Sequence, residues 1–176
     1  MYNLFSNTGG DDWNWSEEEE EGMKWNFSQS EMGIFIHNPC SSFINSTSGN
    51  MEVTSWQGVI CSQSPSICSS QTCTITSLHL RLFNLLGSLP QGMSDLSSLL
   101  YLDLGQNQLT GEIPADIFNL TRLSYLSLVQ NRLSGSLPTS MGQLTALTYL
   151  ELNINLFTGT IPSEIGIMTD LVVLYL

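Results

Sequence analysis

From residue 75 to the last residue, apolar side chains return at a step of 24 residues, a rhythm that is neither a strand's simple alternation nor a helix stripe. The pattern L-x-x-L-x-L-x-x-N-x-L is met by Leu99, Leu102, Leu104, Asn107 and Leu109, and again by Leu123, Leu126, Leu128, Asn131 and Leu133. A third copy runs Leu147, Leu150, Leu152, Asn155, with Phe157 as its last apolar member. Ile75, Leu78, Leu80 and Leu85 make an earlier copy in which Phe83 stands where the others have Asn, and Leu171, Leu174 and Leu176 begin a fifth. Gly87, Gly111, Gly135 and Gly159 keep the same step, as do Pro90, Pro114, Pro138 and Pro162. So many positions sharing one period mark a repeat.

The spacing predicts local structure. Each L-x-L is a short strand whose alternate side chains point opposite ways, so Leu102 and Leu104 enter the core while Tyr101 and Asp103 face outward. Stacked copies align these strands into a parallel sheet. Asn107, Asn131 and Asn155 sit where the chain leaves the strand, and their amides can satisfy buried backbone groups of neighbouring coils, forming an internal ladder. The glycine permits a tight bend, and the proline follows in an extended stretch where a missing N–H is tolerated. Leu120, Leu144 and Met168 then return to the core on the opposite side.

Composition narrows the class. With 176 residues, 41% hydrophobic and 11% charged, the chain can bury a core and is no wholly disordered tail. Sixteen acidic residues against four Lys and Arg leave a net charge of -12, which argues against nucleic acid and polyanionic membrane surfaces as partners. The acidity is concentrated early: Asp11, Asp12, Glu17 to Glu21, Glu31 and Glu52 face only Lys24 within residues 1–73. The run "SEEEEEG" fits a solvated acidic loop or a helix start at Ser16, and a cation site there lacks the spacing of a calcium loop. No stretch is apolar enough to span a bilayer, and the first residues have neither the basic nor the apolar segment of a signal peptide.

Four cysteines, at 40, 61, 68 and 73, precede the repeats, and Asn14, Asn26, Asn45 and Asn119 begin tripeptides of the N-glycosylation form. Together they point to the secretory route. Zinc is disfavoured, because Cys68 and Cys73 are five positions apart with no second knuckle.

"LTGEIP" at 109–114, following "LDLGQNQL" at 102–109, resembles the plant-type leucine-rich repeat. "LFSNTGGDDW" near the start, "PC" at 39–40 and "WQGVIC" at 56–61 resemble the N-terminal cap of that family. The resemblance implies an α/β solenoid: a curved right-handed leucine-rich repeat superhelix with a concave parallel sheet, a second short sheet, and an irregular or 3-10 helical convex side. A disulfide-stapled cap precedes it. The expected organisation is a cap over 1–73 and repeats over 74–176, four copies and part of a fifth. The cap motif implies a Cys40–Cys61 disulfide, and Cys68–Cys73 is expected as an additional pair, one of three possible connectivities. The segment between Cys40 and Cys61 is longer than usual for the family, Cys68 and Cys73 lie outside its motif, and the strand edge at Leu176 suggests a fragment.

Function is to be sought on surfaces. Ser77, Tyr101, Tyr125, Tyr149 and Val173 form one outward column, and His79, Asp103, Ser127, Glu151 and Tyr175 the next. Tyrosines suit strands in any case, but they also supply contact area at low entropy cost. Tyr101, Asp103, Tyr125, Ser127, Tyr149 and Glu151 are therefore the candidate ligand-binding residues. Catalysis lacks support, since His37 and His79 have no partner motif, and Asp103 and Glu151 lie two coils, about 10 Å, apart without a cleft. No cofactor or metal is implied. The family resemblance implies an extracellular or cell-surface recognition module binding a protein, peptide or glycan, with a possible co-receptor, and reaching a membrane only through segments outside this chain. The alternative is a free secreted binder, such as an inhibitor of cell-wall-degrading enzymes or an adhesive coat protein.

Overall fold

A computed structural model describes residues 43–44, 51–52, 58–62 and 73–176. The chain divides into two compact units, one ending at Leu78 and the other running from His79 to Leu176. In the first, β1 (Phe43–Ile44) pairs antiparallel with β2 (Met51–Glu52). β3 (Val59–Cys61) runs antiparallel to β4 (Ile75–His79), with Val59 opposite Leu78 and Ile60 opposite Ser77. Val59 is buried and its neighbour Ile60 exposed, the alternation of a strand with one wet face. Cys61 and Cys73 are both disulfide-bonded. Cys40 and Cys68, their expected partners, lie outside the described residues.

The second unit is a stack of coils, and each coil contributes to two parallel sheets. In the main sheet, β6 (Tyr101–Asp103), β8 (Tyr125–Ser127), β10 (Tyr149–Glu151) and β12 (Val173–Tyr175) pair at a constant offset of one repeat. Equivalent residues therefore lie side by side. Leu102, Leu126 and Leu150, with Leu104 and Leu128, are wholly buried on its inner side. Each contributes about 1.5–3 kcal/mol by leaving water. The second sheet joins β5 (Leu86–Ser88), β7 (Gln108–Gly111), β9 (Arg132–Ser136) and β11 (Leu156–Thr158).

Gly87, Gly111, Gly135 and Gly159, within or just after these strands, are held at φ from 78 to 85, left-handed backbone that side-chain-bearing residues disfavour. At Gly135 a Cβ would also lie 2.7 Å from Glu112 Cγ. The chain then enters 3-10 turns at Ala115–Asn119, Thr139–Gln143 and Ser163–Ile167, led by Pro114, Pro138 and Pro162. Proline fixes φ for the entry and has no N–H to orphan there. A further 3-10 turn spans Met93–Asp95. Met93, Ile117 and Met141 plug the core from these turns, with Leu120, Leu144 and Met168 closing behind them.

Three carboxamides knit the coils internally. Asn107 Oδ1 accepts from the Leu85 N–H, Asn131 Oδ1 from Leu109 and Asn155 Oδ1 from Leu133, each at 3.0 Å. Each Nδ2 donates to a carbonyl of the preceding coil and to one of its own: Asn107 to Leu80 and Leu104, Asn131 to Leu104 and Leu128, Asn155 to Leu128 and Leu152. The residue before each Asn is left-handed, with Gln106, Gln130 and Ile154 at φ 53, 54 and 58.

Candidate recognition face

The outer side of the main sheet carries an aromatic ladder. Parallel pairing in register places Tyr101, Tyr125 and Tyr149 on adjacent strands, and strand spacing matches the thickness at which flat rings stack. Tyr101 and Tyr125 stack with centroids 4.1 Å apart and planes 8° from parallel; Tyr125 and Tyr149 follow at 4.6 Å and 11°. The ladder extends beyond the tyrosine column at both ends. His79 stacks on Tyr101 at 4.3 Å, and Tyr175 meets Tyr149 edge-on at 6.3 Å. Those two rings belong to the neighbouring column, which the repeat arithmetic keeps separate. The sequence signal that marks them is the presence of a ring one coil away and two positions along.

The neighbouring column is less open than an outward position suggests. Strand alternation sends Asp103 and Ser127 toward solvent, yet they are 7% and 0% exposed. The reason is size: short side chains sink between the aromatic ladder and the next column, where Val129 is itself buried. A Cβ on Gly105 would stand 3.1 Å from Asp103 Oδ1, 3.2 Å from Ser127 Oγ and 2.9 Å from Val129 Cγ1, so the column has no slack. Both buried groups are satisfied. Asp103 Oδ1 accepts the Gly105 N–H, its Oδ2 lies 3.9 Å from the Arg81 guanidinium, and Ser127 Oγ donates to Glu151 Oε2 at 2.8 Å. Glu151 remains half-exposed. At the first-coil end, Arg81 Nε donates to Gln106 Oε1, and Gln106 Nε2 to Gln130 Oε1. Nothing in the repeat pattern predicts this polar chain along one edge of the face.

Electrostatics follow the packing. Desolvation lowers the pKa of His79, with Asp103 opposing it. Desolvation raises the phenols of Tyr101, Tyr125 and Tyr149, most strongly at Tyr125, where the Tyr101 hydroxyl and the charges of Asp103 and Glu151 add to it. All three remain neutral near pH 7. The face thus presents un-ionised phenols, one half-open carboxylate and one tethered guanidinium.

Other expected sites fall elsewhere. Asn119 is exposed at the end of its 3-10 turn, whereas Asn14, Asn26 and Asn45 and the acidic run Glu17 to Glu21 lie outside the described residues. Among the described residues no helix is long and apolar enough to cross a membrane. Nor do three or more His, Cys, Asp or Glu gather there as a metal set would.

A leucine rich repeat family model matches residues 73–133. Compared with curated proteins by sequence, the chain has no significant match. Among solved structures it is similar to a chain of the BIR3–SERK2 complex from Arabidopsis thaliana: 34% identity, TM-score 0.64, 77% of this chain and 68% of that one. It is also similar to the leucine-rich repeat ectodomain of the receptor kinase SOBIR1 from Arabidopsis thaliana, at 30% identity and TM-score 0.58 over 65% of this chain and 63% of that one. The plant peptide hormone receptor RGFR1, solved with RGF2, matches at 31% identity and TM-score 0.52, over 66% of this chain and 20% of the receptor. The chain belongs to the leucine-rich repeat family, and within it to the type found in plant receptor ectodomains. It spans 68% and 63% of the first two of these chains.

Proposed function

We propose that this chain is a non-catalytic recognition module of a receptor-like protein, working outside the cell and binding a protein or peptide along the outer face of its main sheet. The observation that carries the reading is the partly exposed ladder of five rings on that face. Rigid aromatic side chains lose little entropy on contact and dominate binding hot spots. Here the rings are pre-organised by one another, so little ordering is left to oppose binding. The structural relatives support the reading, because they include the ectodomain of a receptor kinase and a peptide hormone receptor solved with RGF2. Asn119, exposed away from the ladder, is the described position where a glycan would leave the face free.

The test is capture of extracellular proteins and peptides on the secreted chain, compared among the parent, Tyr125→Ala and Gln143→Ala, the last an exposed 3-10 turn position outside the Asn119 glycosylation tripeptide. Loss of a bound species in Tyr125→Ala alone supports the assignment. Equal capture by all three places recognition away from the ladder.

A further inference from the structure

The ladder is built from rings that cover one another. Tyr101 has His79 on one face and Tyr125 on the other, and Tyr125 has Tyr101 and Tyr149. At 4.1 to 4.6 Å no group can enter between the tyrosines. What they turn outward is their edges and hydroxyls. An aromatic ring is negative on its faces and positive along its rim, so a cation finds its favourable approach already occupied. The rim instead attracts π-faces of other rings, and the hydroxyls offer hydrogen bonds to carbonyls.

The charges around the ladder point the same way. Asp103 is buried and engaged by Gly105 and Arg81, and one oxygen of Glu151 is taken by Ser127. Arg81, ion-paired beside the ladder, repels like charge at that end. Carboxylates that would draw a basic ligand are therefore largely withdrawn from the surface. An acidic ligand meets a repeat unit that is itself net negative, with Asp95, Asp103, Glu112, Asp116, Glu151, Glu164 and Asp170 against Arg81, Arg122 and Arg132.

We infer that the ladder selects an extended, uncharged peptide bearing aromatic side chains, whose rings rest on the tyrosine edges and whose backbone carbonyls accept from the phenols. This rests on the recognition role assigned above to the same face. The row from His79 to Tyr175 is long enough for about six residues of extended chain, at roughly 3.3 Å each.

A random linear peptide library displayed on phage is panned on the full chain, with counter-selection on the Tyr125→Ala protein. The expected survivors are enriched several-fold in Phe, Trp and Tyr over the input and are not enriched in Lys or Arg. A synthesised survivor should bind Tyr125→Ala about tenfold more weakly. Tyr125→Phe keeps the stack and loses only the hydroxyl; it should bind a few-fold more weakly, and its unchanged melting curve guards against misfolding. Survivors that depend on Tyr125 but are rich in Lys or Arg overturn the selectivity and leave the recognition role standing. A library that yields no Tyr125-dependent peptide overturns the peptide inference, while the recognition role is judged by the capture comparison above.

Discussion

Asn131 holds Leu109 across the gap between two coils: its Oδ1 accepts the Leu109 N–H at 3.0 Å while its Nδ2 donates to Leu104 and Leu128. The two carbonyls have other donors, since Asn107 also reaches Leu104 and Asn155 also reaches Leu128. The Leu109 N–H depends on Asn131. Asn131→Leu keeps the size and orphans that buried donor, at a cost of about 1–3 kcal/mol. The control Gln143→Leu, exposed on a 3-10 turn, should stay within about 0.5 kcal/mol of the parent. Gln130 is a poorer control than its neighbouring position suggests, because its backbone is left-handed at φ 54. Equal losses from Asn131→Leu and Gln143→Leu in urea denaturation would contradict the ladder's energetic role.

Ile154 marks the opposite situation, a β-branched residue at φ 58 where the equivalent positions carry Gln106 and Gln130. Its side chain is 65% exposed, so little burial offsets the steric cost. Ile154→Asn should stabilise the chain by about 1 kcal/mol, because Asn tolerates left-handed backbone and removes the branch. A melting temperature equal to or below the parent's would refute the assignment of strain.

The tyrosine ladder should make stability fall at alkaline pH. A phenol with a pKa raised in the fold keeps its proton longer there than in the unfolded chain, whose ordinary value is 10.0. Its contribution is complete below pH 10 and is lost as pH climbs through the raised native values. Melting measured from pH 8 upward should hold steady and then drop beyond 10, with a shallower drop in Tyr125→Phe. Identical profiles for the two proteins would remove the ladder as the cause.

Cys61 and Cys73 are disulfide-bonded; the cap motif pairs Cys61 with Cys40, which leaves Cys68 for Cys73. Non-reducing peptide mapping should recover Cys40 joined to Cys61 and Cys68 joined to Cys73. The longer loop contributes about 3 kcal/mol through the entropy of the unfolded chain. Recovery of Cys40 on Cys73 rejects this pairing.

Much of the second unit is legible in the sequence, because its information is periodic. Leu102, Leu126 and Leu150 must share one side of a sheet once each heads the same motif, and Gly111 and Gly135 must bend once a left-handed residue is required there. The first unit carries no such repetition, so its antiparallel strands β1 and β2 leave no comparable mark. The candidate site is legible only in part. The Tyr101, Tyr125 and Tyr149 column follows from the period, whereas the burial of Asp103 and Ser127 does not, since both occupy positions that alternation sends outward.

The sequence by itself determined the period, the inward leucines and the places where asparagine, glycine and proline interrupt them, because each follows from one residue type recurring at one interval. Tertiary structure decided which outward side chains reach solvent and which rings join the ladder. His79 and Tyr175 enter it from a different column through the orientation of their side chains, and Asp103 is covered by neighbours on other coils. Those outcomes depend on the sizes and directions of groups brought together from separate coils. A count along one chain gives position, but exposure is a property of the neighbours.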